Sequence, residues 1–241
     1  MLFRSGGFNQ GMALVALKAV GQTANAAAIS WLTGQQCPDG GWLVQSQAST
    51  TEGCTVDPTN FTGPDTNSTS LALQGLVAQG ALTPTIEANA ISYLTTGQAG
   101  DGGWSFYPNS AAQPQQSDAE STALVIQGIL ALGLSPTSSA FTSAGQSPVN
   151  ALLSFVVTSG SGAGGIEFQA GDGTDILSTN QVTPILAGLI YGFGPTNSYW
   201  VVTSTASVHP FGSAKTFGSL ANLNKPIVGM AQTLKDRKSV V

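Results

Sequence analysis

The chain has 241 residues, with 7 Lys+Arg, 12 Asp+Glu and one His. Only 8% of residues are charged and 41% are hydrophobic, against about 25% charged in an average soluble domain, so a sizeable core under a neutral polar surface is expected, in one large or two small domains. A net charge of −5 and a pI near 4.5 leave no basic patch; nucleic acid and anionic membrane surfaces are excluded as partners, and no run of about 18 apolar residues marks a transmembrane segment.

Both ends stand apart from the rest. Leu2-Phe3-Arg4-Ser5 is what CTCTTCCGATCT encodes, and Asp236 to Val241 is what GATCGGAAGAGCGTCGTG encodes. Residues 1–5 and 236–241 therefore read as sequencing-adapter DNA translated in frame, and an environmental reading frame cut at both ends is expected. Without them the chain carries four Lys and eleven acidic residues. A signal peptide is outside such a fragment.

The first repeated element begins at Trp31-Leu32, followed at fixed spacing by Gln36 and by Asp39-Gly40-Gly41-Trp42. Tyr93-Leu94, Gln98 and Asp101-Gly102-Gly103-Trp104 repeat it 62 residues on. Phe155-Val156, Gly160 and Ala163-Gly164-Gly165-Ile166 keep the spacing but lose Gln, Asp and Trp. A second element alternates with the first. Asp65-Thr66-Asn67-Ser68-Thr69-Ser70 leads into an apolar run, as does Asp118-Ala119-Glu120-Ser121-Thr122-Ala123, and weaker versions are read at Asn9-Gln10 and Asn180-Gln181. Repeats at such a period predict stacked supersecondary units.

Each unit reads as two helices. Asp65 or Ser68, and Asp118 or Ser121, are good N-cap types. The first helices end near Gly80 and Gly133. The second helices are expected to open at Pro84 and Pro136, and Glu87 to Thr96 carries one apolar stripe. In the Gly-Gly turns the glycines allow left-handed backbone, the Gln side chain reaches backbone at a helix end, and the Trp covers the gap between units.

These motifs resemble the prenyltransferase and squalene-oxidase repeat with its QW motif, over about residues 6–195. Their form is closest to secreted actinobacterial repeat proteins. The resemblance implies an all-α fold of αα-hairpin repeats, the α/α toroid of terpenoid cyclases and prenyltransferases, here as an incomplete ring. The units fall at about 6–42, 60–104, 117–166 and 175–195, with an irregular or degenerate final unit at 196–235. It also implies chemistry to look for. Class II terpene cyclases protonate an alkene with an Asp-x-Asp-Asp motif, and Asp118-Ala119-Glu120 is the nearest string. As an acid, Glu120 needs burial and a supporting carboxylate; as a helix start, Asp118 caps and Glu120 favours the dipole. The repeat at 65–70 has Asn67 in place of Glu120, and recurrence argues for a cap.

Other sites are weaker. Prenyltransferases hold zinc with Asp, Cys and His, but His209 with Cys37 or Cys54 makes a poor three-ligand set. Cys37 and Cys54 flank the first Gly-Gly-Trp turn. In an exported chain they close it as a disulfide; in a reducing compartment they stay thiols. Gly160 to Gly165 lacks the Lys of a phosphate loop. Asn60-Phe61-Thr62 and Asn67-Ser68-Thr69 match a glycosylation sequon but read as loop and cap. Asp172-Gly173-Thr174-Asp175 offers oxygens for calcium, with a turn as the default. Trp42, Trp104, Phe106 and Tyr107 read as packing residues that stack on a ligand where exposed.

No cofactor and no metal are expected. The function expected is a non-catalytic exported repeat domain, extracellular or at the cell surface, binding a small hydrophobic ligand, a glycan or a surface protein. A terpene-cyclase-like or prenyltransferase-like fragment using Asp118 and Glu120 is the alternative, and a structural spacer of a larger surface protein is the third.

Overall fold

The computed structural model describes residues 6–45, 53–111, 114–186, 198–202, 208–212, 231–232 and 239–240. The chain divides into two units, Met1–Gly192 and Phe193–Val241. The first unit is mainly helical, with α1 (Gly7–Ala19), α2 (Ala26–Thr33), α3 (Thr66–Ala78), α4 (Pro84–Thr96), α5 (Ala119–Ala131), α6 (Pro148–Ser154) and α7 (Ile176–Leu186). Strands β1 (Ile166–Glu167) and β2 (Thr174–Asp175) form a short antiparallel pair before α7.

The helices start where local chemistry supplies caps. Asn25, Asp65, Thr83, Asp118 and Ser147 each accept a backbone N–H of the first turn, which satisfies one of the donors a helix start leaves unpaired. Pro84 and Pro148 stand at the first helical positions, where the missing N–H costs nothing. Pro136 does not open the second helix of its unit as expected. A one-turn 3-10 helix at Ser139–Phe141 intervenes, and α6 begins at Pro148 behind the Ser147 cap. Ser147 supplies the hydroxyl that takes the Asn150 N–H at 3.2 Å.

The helices form two rows. α1, α3, α5 and α7 pack side by side in that order, while α2, α4 and α6 each pack on the first-row helix of their own pair. A first-row helix thus has neighbours on several sides. Eleven residues of α3 and ten of α5 are buried, against Ala90, Tyr93 and Leu94 alone in α4. Glycine sets the closest approach. A Cβ on Gly75 would stand 2.7 Å from the Gly11 carbonyl oxygen, and one on Gly11 would stand 2.2 Å from that of Leu71. α1 and α3 therefore touch through backbone, which only a residue without Cβ permits.

One core cluster joins Leu14, Leu32, Trp42, Leu73, Leu76, Leu94, Trp104, Ile129 and Phe141 across the first units. A second joins Ile126, Leu152, Phe155, Ile166 and Val182. Ile166 occupies the place of the Trp in the third turn, and the smaller side chain sits in a smaller cluster.

In the second unit, β3 (Ser198–Val202) pairs antiparallel with β4 (Val208–Gly212), with Trp200 opposite Pro210. β5 (Ala231–Gln232) pairs with β6 (Ser239–Val240). Of the stretch 196–235, expected as an irregular or degenerate final unit, most lies outside the described residues. His209 lies in β4, and its side chain is outside the described residues, as are residues 1–5.

Candidate functional site

The Asp-Gly-Gly-Trp turns are built from bonds that repeat atom for atom. The Asp39 carboxylate accepts the Gly41 N–H at 3.0 Å, and Asp101 accepts that of Gly103 at 2.9 Å. Each carboxylate closes a two-residue side-chain turn. Gly40 and Gly102 follow at φ 97° and 88°, and a Cβ on Gly40 would lie 2.1 Å from the Asn89 carbonyl oxygen. Both the dihedral and the contact require glycine.

The turns also connect the units. Gln36 Nε2 donates to the carbonyls of Gly40 at 3.0 Å and Ile86 at 3.1 Å. Gln98 Nε2 donates to Gly102 and Phe141, both at 2.8 Å. One carbonyl belongs to the glutamine's own turn and the other to the next pair of helices. The indole of Trp42 donates to Leu32 at 2.8 Å and that of Trp104 to Leu94 at 2.7 Å. Both rings are fully buried, so Trp42 and Trp104 are packing residues whose one polar atom is satisfied.

The Asp-Ser-Thr element meets these turns. Trp42 N donates to Thr69 Oγ1 and Trp104 N to Thr122 Oγ1, each at 3.0 Å. Ile166 N donates to Thr179 Oγ1 at 2.9 Å. The third copy of the element is therefore Asp175-Ile176-Leu177-Ser178-Thr179. Asn180-Gln181 and Asn9-Gln10, read as weaker copies, lie inside α7 and α1. Asp175 accepts the Ser178 N–H at 2.7 Å, matching Asp65 with Ser68 and Asp118 with Ser121, both at 2.7 Å. Asp175 thus caps α7. No group of three His, Cys, Asp or Glu able to hold a metal occurs among the described residues.

Asp118 and Glu120 occupy the first turn of α5 but face different partners. Asp118 caps, while Glu120 Oε1 accepts from Ser178 Oγ at 3.1 Å. Burial pushes Asp118 up to about 6, against the lowering bonds from Ser121. Asp65, in the equivalent place, rises further for the same reason, to about 7. Glu120 is raised by partial burial, then by the Asp175 carboxylate, against the Ser178 bond. The capping carboxyl with the largest shift is Asp65, in the copy that has Asn67 where Glu120 stands.

No protein-family model matches this chain, and no curated protein matches it.

Cys37 and Cys54 form a disulfide with Cα atoms 5.6 Å apart. Cys37 is buried, and its backbone is tied into the first turn by Cys37 N–H to Gly41 O and Gly40 N–H to Cys37 O. Ala99 makes the same two bonds in the second turn. The bridge therefore adds to a turn that forms without it.

Beside the first turn lies a cleft of about 300 Å³, lined by Asp39, Ser92, Tyr93, Thr96, Asn109 and Ser110 among others. Its walls are fixed. Asn109 N donates to Gly97 O at 3.0 Å, and Asn109 Oδ1 accepts from Gln115 N at 2.8 Å. Tyr93 OH donates to Pro64 O at 2.7 Å. The second turn differs here, because Ser117 Oγ donates to Asp101 at 2.8 Å. Pro64 stands in the place of Ser117 and has no hydroxyl, so Asp39 lacks that partner. Desolvation raises Asp39.

Three buried glutamines recur on the first-row helices. Gln10, Gln74 and Gln127 each precede a glycine on a first-row helix and are buried. Gln10 Oε1 and both amide atoms of Gln74 and Gln127 have no hydrogen-bond partner among the described residues. The signal was the recurrent Gln-Gly pair at 10–11, 74–75 and 127–128.

Proposed function

We propose that the chain is an exported, non-catalytic repeat domain of the α/α-toroid type, related to the QW-repeat proteins, that binds a ligand at the bacterial cell surface. The observation that carries this reading is the equivalence of Asp65, Asp118 and Asp175. Each accepts the N–H three residues on, at 2.7 Å. A catalytic acid is needed once, whereas this cap recurs at the starts of α3, α5 and α7. The Cys37–Cys54 disulfide supports export, since such bridges persist in oxidising compartments. The ordered first-row pairs support the toroid type.

Two assays test it on the full chain. Sedimentation with isolated bacterial envelopes is expected to retain the protein. Incubation with squalene and with geranylgeranyl diphosphate, followed by mass spectrometry, is expected to return both substrates unchanged. A cyclised product that disappears in Glu120→Gln overturns the reading in favour of a terpene-cyclase-like enzyme. Absence from the envelope fraction together with no product leaves the spacer role and removes the binding one.

A further inference from the structure

We infer that the cleft beside the first Gly-Gly-Trp turn is a binding site for a neutral saccharide. The inference rests on the reading of the chain as a surface binding domain and names the ligand class. The size comes first. About 300 Å³ is at the lower end of small-molecule sites, room for a sugar ring rather than a long polyprenyl chain.

The lining comes next. Ser92 and Thr96 stand one helical turn apart on the exposed side of α4, and both line the cleft. A hydroxyl both donates and accepts. Asn109 is held through Oδ1, which leaves its Nδ2 to donate. Asp39 supplies a carboxylate acceptor. Val56 and Tyr93 add apolar surface for the C–H face of a sugar. This mixture matches a polyhydroxyl ligand and suits a hydrocarbon chain poorly.

Charge narrows the class. Between residues 6 and 192 the sequence has a single basic residue, Lys18 in α1, and it does not line the cleft. A uronate, phosphate or sulfate has no counter-charge there and meets Asp39 instead.

An exposed aromatic side chain follows the cleft-lining Val56 by five residues. Val56 leads into a tight hairpin in which Asp57 and Thr62 exchange backbone hydrogen bonds. The Asp57 carboxylate accepts from Thr59 N, Asn60 N and Asn60 Nδ2. At its tip Phe61 is 80% exposed with φ 52°. A bulky residue held in left-handed backbone is strained, and such strain clusters at functional sites. A rigid turn that holds a phenyl ring in water offers a stacking surface to a sugar.

The test uses the full chain and two exposed substitutions. Thr96→Trp fills the cleft and Phe61→Ala removes the ring. The probes are a β-glucan, a mannan, a galactan and an arabinan, with polygalacturonate as the anionic comparison, read by affinity electrophoresis and by calorimetry with the derived oligosaccharides. At least one neutral glycan is expected to bind, with affinity unchanged by added salt. Thr96→Trp is expected to weaken it by about tenfold or more, and Phe61→Ala by several-fold, at unchanged melting temperature. Glycan binding that ignores Thr96→Trp overturns this cleft and leaves the binding-domain reading standing. Envelope retention with no neutral glycan bound, or preference for polygalacturonate, overturns the neutral-saccharide class. Loss of both envelope retention and glycan binding overturns the two readings together.

Discussion

The side-chain amide of Gln36 donates to the carbonyl of Ile86, a residue 50 positions further on, at 3.1 Å. The same nitrogen serves the Gly40 carbonyl of its own turn. One amide therefore closes a turn and fastens that turn to the next pair of helices. Gln98 does the same between Gly102 and Phe141. Gln36→Ala and Gln98→Ala are each expected to lower unfolding free energy by about 1–3 kcal/mol, the cost of two under-satisfied carbonyls. Gln98→Glu should be worse, since a carboxylate then faces two carbonyl oxygens. Urea titration checks the order, and a neutral Gln98→Ala would contradict the fastening role.

Trp104 combines volume with one hydrogen bond. Trp104→Ala is expected to cost about 3–5 kcal/mol. Trp104→Phe retains much of the ring but abandons the Leu94 carbonyl, and about 1–3 kcal/mol is expected. Equal losses in the two variants, measured by thermal unfolding, would show that the ring volume contributes nothing beyond the indole bond to Leu94.

Acid should stabilise this protein over part of the range. Asp65 and Asp118 rise on burial from near 3.8 to about 7 and about 6. Between pH 4 and 7, the window those values bound, the folded chain binds more protons than the unfolded one. Their contribution is fully present below the unfolded value and is lost as pH rises through 6 and 7. The melting temperature is expected to fall from pH 5 to pH 8. Asp57 and Asp175 are lowered by hydrogen bonds to Asn60 and Ser178, so they act oppositely below the usual carboxylate range and set an acidic limit. Asp65→Asn keeps an oxygen for the cap and should flatten the slope; an unchanged slope would assign it elsewhere.

Reduction separates the first turn from the second. The Cys37–Cys54 bridge closes a loop of separation 17, for which chain entropy predicts about 3 kcal/mol. Differential scanning with and without a reductant is expected to show that loss. Because Ala99 makes the same turn without a bridge, the reduced protein should stay folded and keep its helical circular dichroism.

Glu120→Gln tests the head of α5. As a first-turn acid its charge contributes less than about 1 kcal/mol, and the Ser178 hydroxyl can bond to an amide as it does to the carboxylate. A loss of several kcal/mol in a chemical-denaturation curve would mark Glu120 as a buried network residue.

Much of this was legible in the residues. The Asp-Gly-Gly-Trp spacing predicted the turns because their bonds span two to four residues and depend on local backbone alone. Asp65 and Asp118 were readable as caps for the same reason. Asp175 was not, because an insertion lengthens the third unit. Asp118 to Asp175 spans 57 residues where Asp65 to Asp118 spans 53, and only the Ile166 to Thr179 bond restores the register. Likewise the sequence pointed to Pro136 as a helix start, whereas α6 begins at Pro148 behind the Ser147 hydroxyl.

The sequence by itself determined the repeat, its glycines and its capping residues, since each answers a short-range demand of the backbone. Tertiary structure alone decided which carbonyls the glutamines fasten, that Ser117 occupies Asp101 while Pro64 leaves Asp39 without that partner, and that a cleft opens there. Those outcomes depend on how buried apolar faces dock, and docking brings together atoms whose separation along the chain carries no information about their distance in space.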